Sequence, residues 1–296
     1  MKRIIIPLLT VSILVIFYFL YANSKNKDFT VMTFNIRYDN PGDGINAWPN
    51  RAPLIDSLLI LKKPDILGTQ EVLKHQFDAI ANMLPNYTAI GVGRDDGKEA
   101  GEYNALFINN ERFIVLQSNT FSLSETPDVI GVKGWDAVCC RIMTWALLKD
   151  KKTNKTLLAC NTHLDHRGIF ARRNSIKLIK NKIKLILQDN DMEDIPVEIT
   201  GDFNCTESDE PYLLLTADNY YQSSYKLTKE HKGTQWTFHG FGSVPLDERK
   251  KIDYVFVNNN IKIESYESIK GGPNERGIYL SDHNPVLVNI KLISKN

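Results

Sequence analysis

The sequence predicts an α+β fold, with two mainly antiparallel β-sheets packed face to face and helices outside. Three observations lead there. Short β-rich runs bounded by Gly, Pro, Asn and Asp recur along most of the chain, and helical periodicity appears in only a few places. The third is size: 296 residues with 43% hydrophobic content suffice for one large core. Sheets facing each other bury that many strands, and amphipathic helices then cover the outer faces.

The first 27 residues stand apart from this pattern. Lys2 and Arg3 precede an uncharged, mostly apolar run from Ile4 to Ala22, about the length that spans a ~30 Å hydrocarbon core at ~1.5 Å per residue. The expectation for 1–27 is an uncleaved membrane anchor rather than a signal peptide, because Leu20-Tyr21-Ala22 makes a poor cleavage site. Lys2 and Arg3 then stay inside, which places 28–296 outside the cytoplasm, periplasmic or extracellular, or secreted if the segment is cut.

From Asp28, "DFTVMTFNIRY" reads as a strand. "RAPLIDSLLILKK" reads as a helix, with Leu54, Ile55, Leu58, Leu59 and Leu61 at helical spacing and Pro64 ending it. "DILGTQEV" is a strand, "LKHQFDAIANML" a helix, and "YTAIGVGRDDG" a strand running into a loop. Four further strands follow, "YNALFIN", "FIVLQSNTFSLS", "RIMTWALLKD" and "KTLLACNTHLD", with an irregular loop over 125–140. The longest helix is "FARRNSIKLIKNKIKLILQDN", where Ile176, Ile179, Ile183 and Ile186 form a stripe opposite lysines. After the strand "IPVEITGDFN" come a short helix from Glu210 to Thr216, the segment "TQWTFHGF", the strand "KIDYVFVNN" and the last strand, "SDHNPVLVNIKL".

Several of these strands break their apolar alternation at one end with Asn, Asp, Glu or His. Asn35 ends "VMTFN", Glu71 ends "ILGTQE", and His163 and Asp165 end "LLACNTHLD". Asp202 and Asn204 end "ITGDFN", where period-2 geometry would send both to one face with Phe203 on the other, and Gly201 would allow a close backbone approach. Asp253 sits inside an apolar strand and Asp282-His283 opens another. Singly each is a turn or a cap, yet an unpaired buried carboxylate costs several kcal/mol and is not kept without use. Oxygen donors without cysteine suit a hard cation, Mg²⁺ or Mn²⁺, and two histidines supply groups that titrate near neutrality. Such a set fits attack of water on a phosphoester.

Overall charge and cysteines narrow the possibilities. The formal net charge is +1, and it falls to −1 without Lys2 and Arg3, so a long nucleic-acid partner is not favoured. No feature points to a protein partner. Cys139, Cys140, Cys160 and Cys205 lack zinc-type spacing. Cys160 with Cys205 is the candidate disulfide, against four buried free thiols.

The ordered series "TFNIR", "GTQEV", "NTHLDH", "GDFN", "IDYVFV" and "SDHNPV" resembles the endonuclease/exonuclease/phosphatase superfamily over about residues 29–292. The resemblance implies a four-layer α/β sandwich with the site at one end of the packed sheets. It also implies roles: Glu71 as principal metal carboxylate with Asn35 and Asp282 beside it, and His283, oriented by Asp253, activating water or stabilising phosphoryl charge. Asp202 and Asn204 would position the nucleophile and a phosphate oxygen. His163 would bind a phosphate oxygen or protonate the leaving oxygen, with Glu102 of "GEYN" orienting it.

Marks of particular subfamilies are missing. Ile199-Thr200 precede Gly201 where inositol polyphosphate 5-phosphatases carry Trp, and position 73 is Leu where apurinic endonucleases carry Lys. The pattern looks like bacterial metal-dependent hydrolases of the superfamily. His166, Arg167, Arg172 and Arg173 are candidates to clamp a second phosphate or anionic head group, and Trp236, Phe238 and His239 to stack on a ring. The expected activity is hydrolysis of a small or lipid-linked phosphoester. Nuclease action on DNA or RNA, sphingomyelinase-like lipid cleavage and a non-catalytic binding module are the alternatives.

Overall fold

The computed structural model describes residues 28–293, so the expected anchor over 1–27 lies outside the described residues. Among those described, no helix is long and apolar enough to cross a membrane.

Among the described residues, thirteen strands form two sheets. Seven strands make the first: β1 (Phe29–Asn35), β2 (Ile66–Val72), β3 (Tyr87–Ile90), β4 (Tyr103–Asn109), β10 (His231–Gly233), β12 (Ile261–Ser268) and β13 (Val286–Leu292). They lie in the order β10-β12-β13-β1-β2-β4-β3. The second contains β5 (Phe113–Ser122), β6 (Ile142–Asp150), β7 (Thr156–His163), β8 (Val197–Asp202), β9 (Tyr221–Ser223) and β11 (Asp253–Asn258), ordered β5-β6-β7-β8-β11-β9. Most neighbours are antiparallel. β1 with β2, β7 with β8 and β10 with β12 are parallel, so both sheets are mixed.

The helices are α1 (Trp48–Lys62), α2 (Lys74–Met83), α3 (Ile169–Asp189), α4 (Glu210–Thr216) and α5 (Ser224–Leu227). Side chains such as Val31, Ile66, Leu148, Ala159, Val255 and Val288 fill the space between the sheets. Trp48, Ile55 and Leu59 of α1 and Ile80 of α2 cover the outer face of the first sheet. Ile176, Ile179 and Ile183 of α3 and Leu215 of α4 cover that of the second. The result is the expected four-layer sandwich.

Differences from the sequence expectations are local. Leu61 is exposed on α1, while Arg51 is fully buried there, its guanidinium donating to the carbonyls of Ile36, Arg37, Asn46 and Leu280. The last strand begins at Val286, so Asp282 and His283 lie in the loop before it. Strand β12 was not anticipated, because polar residues of "IKIESYES" alternate imperfectly around a bulge between Ile263 and Ser265. All four cysteines are free: Cys160 and Cys205 share the core beneath α3 without bonding.

Candidate active site

Each sheet has a parallel pair at its centre, and the carboxyl ends of both pairs meet at one end of the sandwich. β1 delivers Asn35, β2 Glu71, β7 His163 and β8 Asp202. β11 runs antiparallel to β8 and starts with Asp253 directly opposite Asp202. The loop before β13 adds Asp282 and His283. Glu71, Asn204 and Arg37 have left-handed backbones, with φ of 58°, 46° and 60°. Asn tolerates that region, whereas Glu is strained there by on the order of 1 kcal/mol or more, a feature that concentrates at functional sites.

Asp202 is the centre of the arrangement. Its Oδ1 accepts the Asn204 backbone N–H at 2.9 Å, and its Oδ2 accepts Asn35 Nδ2 at 3.0 Å. The same Oδ2 lies 3.5 Å from His163 Nε2 and 3.8 Å from His283 Nε2. Asn35 Nδ2 also donates to Glu71 Oε1 at 3.0 Å, while its Oδ1 takes the Arg37 backbone N–H at 3.0 Å, which fixes the amide with nitrogen toward the carboxylates. His283 Nδ1 and Asp253 Oδ2 are 2.8 Å apart. Phe203 packs in the core behind, against Tyr254 and Phe256. The close approach that Gly201 allows is to the Thr162 carbonyl of the adjacent strand.

These surroundings push the titratable groups apart. Burial and the Asp253 carboxylate raise Asp202 to about 7, against the pull of His283. Burial opposes charge on His283, but the Asp253 carboxylate with its hydrogen bond, then Asp202 and Asp282, holds the imidazolium well above its usual range. His163 moves the other way: burial and the cations Arg141 and Arg94 keep it neutral. Burial and the Glu71 carboxylate raise Asp282, while His283 lowers it.

At the ends of the central strands, two places among the described residues could hold an ion. Glu71 and Asp282 are carboxylates close enough to repel each other, a strain that a cation between them would relieve. Asp202, Asp253 and His283 bring three ligand-capable atoms within 4.8 Å of one another, although the hydrogen bond between Asp253 and His283 already joins two of them. The donors are mainly carboxylate oxygens, which suits a hard divalent cation.

The cleft over these residues has a volume of about 490 Å³. Its walls include Phe238, one of the candidate stacking rings, together with Tyr38 and three arginines, Arg37, Arg94 and Arg141, which the sequence pattern did not single out. Arg37 pairs with Asp43 and lies 3.8 Å from Glu71. Asp165 is a structural hub: it accepts the N–H groups of Val138, Cys139, Arg167 and Gly168 and the Arg141 Nε, which pulls it down to about 2 despite burial.

Several expected residues are placed elsewhere. Glu102 lines the cleft, but its carboxylate is taken by Arg94 through bonds of 2.6 and 2.7 Å, and the neighbour of His163 is Asn204, with Nδ2 at 3.0 Å from Nε2. Arg172 donates to the Asp165 carbonyl, and Arg173 faces Glu210 and the Phe170 ring, because the first turn of α3 directs both away from the cleft. Arg167 is exposed, with its backbone N–H on Asp165. Trp236 stacks under Arg249, and His239 is buried between Trp236 and Tyr279 with Nδ1 accepting Gly242 N–H. Of that group His166 and Phe238 line the cleft.

A four-layer sandwich with carboxylates, amides and paired histidines at the ends of its central strands defines a phosphoester hydrolase. The profile of the Endonuclease/Exonuclease/phosphatase family matches residues 32–283, and the chain belongs to that family. Among solved structures, an endonuclease/exonuclease/phosphatase from Bacteroides vulgatus is 44% identical, covering 90% of this chain and 99% of its own, with a TM-score of 0.84. A mannosyl-6-phosphatase from Bacteroides thetaiotaomicron is 34% identical over 88% of this chain and 99% of its own, with a TM-score of 0.80. The human Nocturnin catalytic domain shares the fold at 20% identity, over 90% of this chain and 95% of its own, with a TM-score of 0.71. No curated protein matches the sequence.

Proposed function

We propose that this hydrolase acts on a small phosphoester, depends on Mg²⁺ or Mn²⁺, and works outside the cytoplasm on a membrane tether formed by residues 1–27. The observation that carries the chemistry is Asp202, raised to about 7 and set between two histidines of opposite protonation preference. A carboxylate of that basicity can take the proton of an attacking water. His283, held as imidazolium by Asp253, stabilises negative charge on the phosphoryl oxygens. His163, kept neutral with its Nε2 accepting the Asn204 amide, lines the same side of the cleft as Asp202. The ion would be held by Glu71 and Asp282 and would supply Lewis-acid stabilisation of the phosphoryl group, while Asn35, with its amide nitrogen donating to Glu71 and Asp202, keeps those carboxylates in place.

A small substrate is supported by the cleft of about 490 Å³ and by 34% identity to a sugar phosphatase. The test is a panel of sugar phosphates, a generic phosphodiester, phospholipids, DNA and RNA, each with and without EDTA, using the full chain and Asp202→Asn. Mg²⁺-dependent release of phosphate from sugar phosphates, lost in the variant, is the expected result. Digestion of nucleic acid alone would refute the small-substrate reading.

A further inference from the structure

The wall of the cleft beside His163 contains donors without acceptors. Arg141 is 96% buried: its Nε donates to Asp165 and its Nη2 contacts His166 Nδ1 at 3.1 Å, while its Nη1 has no partner. Arg94 gives both terminal nitrogens to Glu102, and its buried Nε, with the Asp95 carboxylate 4.0 Å away, makes no hydrogen bond. The Asn204 amide donates to the Leu164 carbonyl, which fixes its nitrogen toward His163 Nε2 and leaves the imidazole proton on Nδ1, itself buried and unpartnered. Arg141 and Arg94 are the cations that act most strongly on that ring. Three buried N–H groups without acceptors are a costly arrangement in a protein alone, since each loses its water without replacement.

We propose that Arg94 and Arg141 form a second anion subsite, which takes a phosphate, sulfate or carboxylate carried by the substrate in addition to the phosphoester cleaved. The proposal rests on the hydrolase reading for the location of the scissile group. The scissile phosphoryl belongs on the Nε2 side of His163, where Asp202 and Asn204 lie, and the Nδ1 edge faces away from them. A guanidinium fork buried and held in place by carboxylates loses little entropy on meeting an oxyanion, and such bonds are charge-assisted. The subsite replaces the expected clamp of Arg172 and Arg173, whose guanidiniums are engaged outside the cleft.

The test compares glucose 6-phosphate with glucose 1,6-bisphosphate on the full chain, wild type, Arg94→Gln and Arg141→Lys. The second variant keeps the charge beside Asp165 while removing the fork, so it guards against a folding failure of the first. Wild type should show a KM for the bisphosphate at least tenfold lower, and either folded variant should raise that KM at least fivefold more than the KM for the monophosphate. Equal effects on both substrates would overturn the proposal, since the arginines would then serve the scissile phosphate. Binding of the bisphosphate to metal-free protein, followed by calorimetry, separates the two readings. Binding weakened at least fivefold in the variants sustains the subsite even where nothing is hydrolysed, and binding that is absent or unchanged rejects it.

Discussion

Glu198 lies on β8, four residues before Asp202, fully buried in the space between the sheets with Ala159 and Val257 as its cross-strand neighbours. Neither carboxyl oxygen has a hydrogen-bond partner, and burial raises its pKa well above the ordinary value. In the folded state the group therefore keeps its proton at pH values where the unfolded chain releases it near pH ~4.3. A folded pKa above the unfolded one means that folding binds a proton. Stability is then highest below pH ~4.3 and falls by about 1.4 kcal/mol per pH unit until the folded carboxyl itself ionises. Glu198→Gln keeps the shape and removes the proton linkage. Relative to wild type, its Tm should climb by roughly 3–6 °C per pH unit above pH ~4.3 until the wild-type carboxyl ionises, taking ~1.4 kcal/mol per unit and ~2–4 °C per kcal/mol for a domain of this size. Thermal unfolding of both proteins from pH 4.5 to 8.5 is the assay, and parallel pH dependences would refute the reasoning by revealing a charge partner for Glu198.

Three further outcomes test the site and its supports. Glu71→Gln should weaken Mg²⁺ binding measured by calorimetry, at least tenfold, whereas His283→Ala should lower kcat by on the order of 10²-fold or more with metal affinity nearly unchanged; the reverse pattern would sink the roles assigned here. Replacing Arg172 and Arg173 together with Ala should leave kcat/KM within about twofold, because neither guanidinium reaches the cleft; a tenfold loss on any phosphoester would put them back in it. Gly68→Ala should destabilise by about 1–3 kcal/mol in urea unfolding, since a Cβ there meets the side chains of Thr200 and Asn161 between the sheets, and an unchanged midpoint would mean that this region yields.

How far the molecule could be read from sequence varied with the range of the interaction. Helix α4 coincides with its expected limits, Glu210 to Thr216, and α3 with its isoleucine stripe, because apolar periodicity is local. Strand β12 was lost because its pairing with β13 supplies an order that "IKIESYES" does not display by itself. Arg51, Arg94 and Arg141 carry no local signal at all. Arg51 and Arg141 are placed by groups distant in sequence, Leu280 and Asp165, and Arg94 by Glu102 across an irregular loop.

The site residues were legible for a topological reason. In each central parallel pair, β1 with β2 and β7 with β8, both strands end on the same side of the sandwich. Their antiparallel neighbours β13 and β11 begin on that side, so their first residues and the preceding loop arrive there too. Six chain segments thus converge where the core stops, and polar residues there can face the cleft without interrupting the apolar space between the sheets. A buried strand that ends in Asn, Glu, His or Asp is therefore visible as a break in alternation. What closes the cleft above those ends is a set of loops, and loops obey no such period. This is why the carboxylates and histidines could be named from the sequence while the arginine wall required the fold.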